Sequence, residues 1–251
     1  MPYGLYLSAE GAQAQARRLE VIANNLANVN TVGFKRQLAI LQARYAEAIE
    51  QGMDQAGSGS INDVGGGVFL AETRTDYSRG PLKRTELSTD MAIDGEGFFV
   101  VRRGQENLLT RAGNFRITSA GRLVTQQGYD VLSEDGSPIT IDPTRGPWYV
   151  TPSGTIRQQG TVQTLAIVAP QSPGDLVRLG KNLFRPLADP QPVPRAQRRV
   201  LPGYLEMSSV EPTTEMIAMI EASRAVEANI NMMKTQDQML SGLVNRLMRT
   251  V

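Results

Sequence analysis

Apolar positions recur at alternating steps of four and three at both ends of this chain. Near the start the series is Leu5, Ala9, Ala12, Ala16, Leu19, Ala23 and Leu26. Near the end it is Met216, Met219, Ser223, Val226, Ile230, Met233, Asp237, Leu240, Val244, Leu247 and Val251. Such a repeat keeps one stripe of a helix turned toward a partner helix, so each end predicts a coiled-coil-like seam. The first helix is predicted from about Pro2 to Val29. It stops at a cluster of Asn24, Asn25, Asn28 and Asn30 followed by Gly33, residue types that accept left-handed backbone. A second amphipathic stretch, residues 34–51, is expected to continue as helix. The last helix is expected to open near Ser208-Ser209, with Pro212 in its first turn and Ser208 and Glu211 as a capping box.

The middle has another rhythm. Short apolar runs at Phe98-Phe99-Val100-Val101, Arg122-Leu123-Val124-Thr125 and Thr164-Leu165-Ala166-Ile167-Val168 lie between turn residues. Asp94-Gly95, Asp135-Gly136 and Ser153-Gly154 are pairs that reverse a chain. Proline divides the sequence the same way: twelve of the 14 prolines fall between residues 81 and 202, and none follows Pro212. Proline is excluded from helix interiors, so this second signal agrees with the first. The expected fold is α+β: terminal helices flanking a central all-β domain whose core holds Phe98, Phe99, Phe115, Tyr129, Trp148 and Phe184. The expected divisions are an N-terminal helical segment (1–51), a Gly/Ser-rich linker (52–67), a β-rich domain (68–205) and a C-terminal helical segment (206–251). A terminal helix of about 38 residues would measure roughly 57 Å. The β domain would be about 35 Å across. Such a helix outruns its own lobe, and the flanking Ile217, Ile220 and Leu243 widen its apolar stripe, so self-assembly is expected.

Composition removes chemistry rather than adding it. Cysteine and histidine are both absent and the net charge is +1. The commonest general base and metal ligand, thiolate catalysis and disulfides are thereby excluded, and no global field points to nucleic acid. No apolar run is long enough to span a bilayer. The start of the chain lacks a basic segment followed by an apolar core, so no cleaved signal is expected. Gly57-Ser58-Gly59-Ser60-Ile61-Asn62 lacks the third glycine of a dinucleotide fingerprint, and Gly65-Gly66-Gly67 has no following Lys-Ser/Thr. Asp94 and Glu96 are a conceivable hydrolytic carboxylate pair, but two acids in a glycine-rich turn read better as turn chemistry. No catalytic, metal or cofactor site is expected.

Three stretches carry a resemblance. Ile22-Ala23-Asn24-Asn25-Leu26-Ala27-Asn28 with Gly33-Phe34-Lys35 resembles the N-terminal signature of the axial rod and hook proteins of the bacterial flagellum. Ala92-Ile93-Asp94-Gly95-Glu96-Gly97-Phe98-Phe99, with Leu109-Thr110-Arg111-Ala112-Gly113-Asn114-Phe115, is similar to the opening of the central domain of the longer rod proteins. Gly203-Tyr204-Leu205-Glu206, with Met219-Ile220, Arg224-Ala225, Glu227, Asn229 and Asp237-Gln238-Met239-Leu240, resembles their C-terminal signature. Length and a single β lobe match the proximal and distal rod types. The stretch 52–67 is shorter than the extended region of a distal subunit, which favours the proximal type.

The resemblance implies a structural subunit of the flagellar basal body, exported by the type III apparatus without signal cleavage. Such subunits stack helically with copies of themselves and other rod and hook proteins into a periplasm-spanning drive shaft around the export channel, within surrounding rings. It implies two assembly interfaces. One comprises the first seam with Asn24, Asn25, Asn28, Gly33 and Phe34. The other comprises the second seam from Met216 to Leu247 with Ile220, Arg224, Glu227 and Asn229. The asparagines either bond across subunits or cap a helix end. Ser223 and Asp237 either fix register or stay wet. Arg224 and Glu227 either bridge subunits or pair within the helix. The stretch Arg195-Ala196-Gln197-Arg198-Arg199 reads as a solvated loop before an acidic partner site. Alternatives are a distal rod or hook-type subunit, or a non-flagellar oligomeric module that binds cell wall.

Overall fold

The structure is a computed structural model that describes residues 3–45, 47–55, 57–59, 65–142 and 144–249. Its chain divides into two compact units. Residues 1–27, 37–76 and 211–251 form the first, and residues 28–36 and 77–210 the second.

The first unit contains helix α1 (Tyr3–Ala27), strand β1 (Gln37–Ala43), the single-turn helix α2 (Glu47–Glu50), strand β2 (Val68–Thr75) and, at the other end of the chain, helix α3 (Pro212–Arg249). α1 and α3 pack antiparallel: Gly4 lies beside Gln236, Gly11 beside Asn229, and Asn25 beside Glu215. α3 begins at Pro212 rather than Ser208. Ser208 Oγ instead accepts the Val210 amide, and the Glu211 carbonyl accepts the first helical bond, from Glu215. Helix does not continue through residues 34–51 as its amphipathic pattern suggests. Residues 37–43 are a strand, paired antiparallel from Gln37↔Thr75 to Ala43↔Val68 with a bulge at Ile40/Leu41. A ladder partner available elsewhere in the chain overrides weak local helix preference. Of the glycine-rich stretch, Gly66 donates to the Arg44 carbonyl and Gly67 accepts from the Arg44 amide, closing the hairpin. Residues 60–64 lie outside the described residues.

The second unit is the β domain. It holds strands β3 (Leu82–Arg84), β4 (Met91–Ile93), β5 (Phe98–Arg103), β6 (Glu106–Thr110) and a series of shorter strands up to Tyr204–Glu206, all paired antiparallel among the described residues. β5 explains its own sequence. Phe99 and Val101 enter the main core with Leu108, Phe115, Leu123 and Ile167, while Phe98 and Val100 enter a second with Leu109, Leu132 and Phe184. Both faces are buried, so the strand reads as an unbroken apolar run rather than an alternating one. Trp148 and Tyr129 lie at the rim of the main core, half-buried, and not inside it. The run 164–168 is not one strand. Thr161–Thr164 pairs with Thr155–Gln158, and Ile167–Ala169 pairs with β5. Between them the Leu165 and Ala166 amides turn to Gly154 and Leu132.

Candidate functional site: the helix faces and the buried ion cluster

On α1 the buried residues are Ser8, Ala14, Ile22 and Asn25. Ser8, Ile22 and Asn25, with Gly4, Gly11, Gln15 and Arg18, trace a 4-3 stripe one residue behind the apolar seam, a rotation of about 100°, and Ala14 lies beside it. α3 shows the same offset: Glu215 and Ala222 are buried, and Ala218, Ala225, Asn229 and Gln236 half-buried. The stripes that meet inside the chain are mostly small or polar, with the buried Ile22 a large apolar member. A Cβ on Gly4 would stand 2.8 Å from Gln236 Nε2, and one on Gly11 3.1 Å from Asn229 Oδ1, so glycine lets those amides sit against the helix. Asn229 also donates to the Ala225 carbonyl at 2.9 Å.

The apolar seams are left on the rim or the outside. On α1, Leu5, Ala12, Leu19, Ala23 and Leu26 are half-buried and Ala9 and Ala16 exposed. On α3, Met219, Ser223, Val226 and Met233 are half-buried, while Met216, Ile230, Asp237, Leu240 and Val244 are exposed. Beyond the seam, Ile220 is 54% exposed and Leu243 58%, with Ile217, Met232, Met239 and Met248 also open. Arg224 and Glu227 are exposed, and no salt bridge among the described residues joins them. The side chain of Leu247 lies outside the described residues.

Asn229, expected at an assembly interface, thus faces α1 of its own chain, and three further residues expected at one are held inside the chain. Asn25 Nδ2 donates to the Gln37 carbonyl at 2.8 Å and to Glu215 at 3.2 Å, and its Oδ1 accepts the Gln37 amide at 2.9 Å. Its amide completes the ladder end of β1, which no local pattern announces. Gly33 is buried at φ 68°, and a Cβ there would stand 2.5 Å from the Ala112 amide nitrogen. Phe34 is buried, its ring 4.3 Å beneath the Arg178 guanidinium. Asn24 is exposed, and Asn28 accepts from Thr31 Oγ1 at 3.2 Å in the turn after α1.

A charged cluster that no local sequence pattern marks has its members in all three of the stretches that carry the family resemblance. Lys35 and Glu206 are each 1% exposed and Arg111 5%. Lys35 Nζ donates to Glu206 Oε1 at 2.6 Å and to the Ser78 carbonyl at 2.7 Å. Arg111 meets Glu206 Oε2 at 3.2 Å and donates to the Ile93 and Gly95 carbonyls. Burial lowers the Arg111 pKa from its usual value, and the Glu206 carboxylate works against that shift. Around the cluster, residues 33–36 and 206–209 run side by side: Gly33 donates to the Glu206 carbonyl, Ser209 to the Phe34 carbonyl, and the Arg36 amide to Ser209 Oγ.

The other charges are turn and surface chemistry. Asp94 pairs with Arg79 and Arg199, and Glu96 is exposed. The basic stretch 195–199 is not wholly solvated. Arg198 is buried, 2.7 Å from Glu134 Oε1, and Arg195 pairs with the same carboxylate. Those two guanidinium groups hold the Glu134 carboxyl below its usual 4.5.

Outward apolar stripes on terminal helices, a β domain packed on both faces of its central strand and acids spent in turns describe a structural subunit. The flagellar basal body rod FlgEFG protein C-terminal family matches residues 201–247, the flagellar hook protein FlgE/F/G D1 domain residues 92–164, and the flagella basal body rod protein family residues 5–35. The chain is 32% identical to the flagellar basal-body rod protein FlgF of Caulobacter vibrioides over 98% of each chain. To FlgG of Borreliella burgdorferi it is 34% identical over 99% of this chain and 100% of that one, and to FlgG of Bacillus subtilis 32% over 96% and 97%. The chain belongs to the flagellar basal-body rod proteins of the FlgF/FlgG type. It is a structural subunit of the basal-body rod, not an enzyme, and assembles with other rod and hook components.

Proposed function

We propose that this chain is a proximal-type rod subunit whose terminal helices assemble helically, copy on copy and against other axial subunits, through coiled-coil-like contacts of their outward apolar stripes. The observation that carries this is the separation of faces. Within the chain α1 and α3 join mostly through small and polar residues, while Met216, Ile217, Ile220, Met232, Leu243 and Val244 stay open to solvent. So many large apolar side chains exposed on one helix are characteristic of a surface awaiting a partner. The resulting shaft transmits torque and encloses the export channel. The subunit reaches it by type III export without signal cleavage, and rings surround it.

The proximal assignment is supported by the fit in length. The match to FlgF runs over 251 aligned positions. That to the Borreliella FlgG runs over 277, more than this chain possesses, so that FlgG carries segments without a counterpart here. The helix reading is tested with Ile220→Asp and Leu243→Asp in cells. Export of a soluble subunit without rod formation or swimming is expected; normal swimming of both variants would overturn it. Cross-linking between seam positions on adjacent subunits identifies the neighbours.

A further inference from the structure

The chain passes between its two units four times, at 27/28, 36/37, 76/77 and 210/211. Every passage lies on one of three stretches of the β unit: residues 28–36, 77–80 and 206–210. The buried cluster holds all three. The Lys35 ammonium bonds the Glu206 carboxylate and the Ser78 carbonyl, and Glu206 Oε1 also accepts the Gly80 amide at 3.2 Å. Arg111 anchors the other carboxylate oxygen to the β domain through the Ile93 and Gly95 carbonyls. Asn182 adds a bond to the Val32 carbonyl at 2.7 Å, and Arg178 one to the Lys35 carbonyl at 3.0 Å.

Stability alone is a weak reason for burying two cations around one carboxylate, because apolar replacements of similar volume do as well or better. What ions supply and methylenes do not is direction. Charge-assisted bonds of 2.6–3.2 Å fix three separate backbones at one point and resist their sliding apart.

We propose that the Lys35–Glu206–Arg111 cluster is the mechanical junction of the subunit, the point at which torque carried by the terminal helices is delivered to the β unit. The inference rests on the rod reading above. Its distinguishing property is that losing the cluster weakens the subunit under load more than at rest.

Two measurements test it on the full chain carrying Lys35→Met, with Glu206→Gln as a second variant, should the first fail to fold, that keeps the side chain's size and one acceptor oxygen but removes the charge and the second acceptor. Hydrogen exchange on the purified monomer reads the Gly33, Arg36, Gly80 and Ser209 amides. Exchange faster by on the order of a hundredfold there, with the amides of β5 and β6 unchanged, is expected. In cells, both variants are expected to build rods and swim in dilute medium but to lose speed more steeply than wild type as viscosity rises. Unchanged exchange at the four amides overturns the junction. So does accelerated exchange with a wild-type response to viscosity, which makes the cluster merely structural, and so does absence of rods, which places it in assembly. Because exchange is read on the free monomer, failure of the rod reading leaves that arm intact and is recognised separately, by swimming of the Ile220→Asp and Leu243→Asp cells.

Discussion

Asn25 shows how much one amide can hold. Its three bonds close the edge of β1 and touch the first turn of α3. Asn25→Ala would leave the Gln37 amide and carbonyl without those partners, and we expect a loss of about 2 kcal/mol in denaturant unfolding. Gly113 is a steric counterpart: a Cβ there would overlap the Met91 carbonyl oxygen. Gly113→Ala is therefore expected to prevent a soluble β domain from forming, read as loss of cooperative thermal unfolding. Sequence marked both residues through the family resemblance but not their work. Asn25 looks like any helix-end asparagine until its partner Gln37 is known to start a strand. Lys35 and Glu206 stand 171 positions apart, and no periodicity connects residues at that distance.

At the scale of elements, the two helices were legible because a 3-4 repeat and an absence of proline act locally. Which face turns inward was not. Each helix carries two adjacent stripes, one apolar and one mostly small or polar, and the apolar one dominates any hydrophobicity pattern although the chain covers it only in part. The offset makes a paired prediction. Ala222, fully buried on α3, is expected to lose about 1–3 kcal/mol of monomer stability as Ala222→Leu, through overpacking. Ile220→Asp, two residues away and facing out, is expected to stay within about 0.5 kcal/mol of wild type. Equal effects in thermal unfolding would contradict the assignment of faces. The strands were legible where both sides are buried, as in β5, and illegible where pairing is remote, as in β1. An electrostatic element can be read by pH. The depressed carboxyl of Glu134 contributes stability that is present above 4.5, its unfolded value, and is lost as pH falls through the lower folded value. Glu134→Gln is therefore expected to flatten the acid limb of a stability-versus-pH curve, leaving Arg198 buried without its anion at neutral pH.

At the scale of the whole molecule, the β domain is not bounded by the residues its strand pattern suggests. Residues 28–36 belong to it, separated in sequence from the rest by the hairpin of the first unit, and they bring the buried ammonium that faces Glu206. Without Lys35, Glu206 and Arg111 keep each other, but the Ser78 carbonyl loses its donor and Glu206 one of its cations, in a site closed to water. Removing one partner of a buried ion pair typically costs about 3–5 kcal/mol. The remaining bonds of the stretch, from Asn182 to Val32, from Arg178 to Lys35 and from Ser209 to Phe34, would go with it. A fragment of residues 28–210 is therefore expected to unfold cooperatively, with a midpoint close to that of the β domain in the full chain. A fragment of residues 77–210, which contains every strand from β3 onward, is expected to fall by at least that much or to precipitate. Equal midpoints for the two fragments in urea would show that the N-terminal stretch merely passes over the β domain, and that the strands alone specify it.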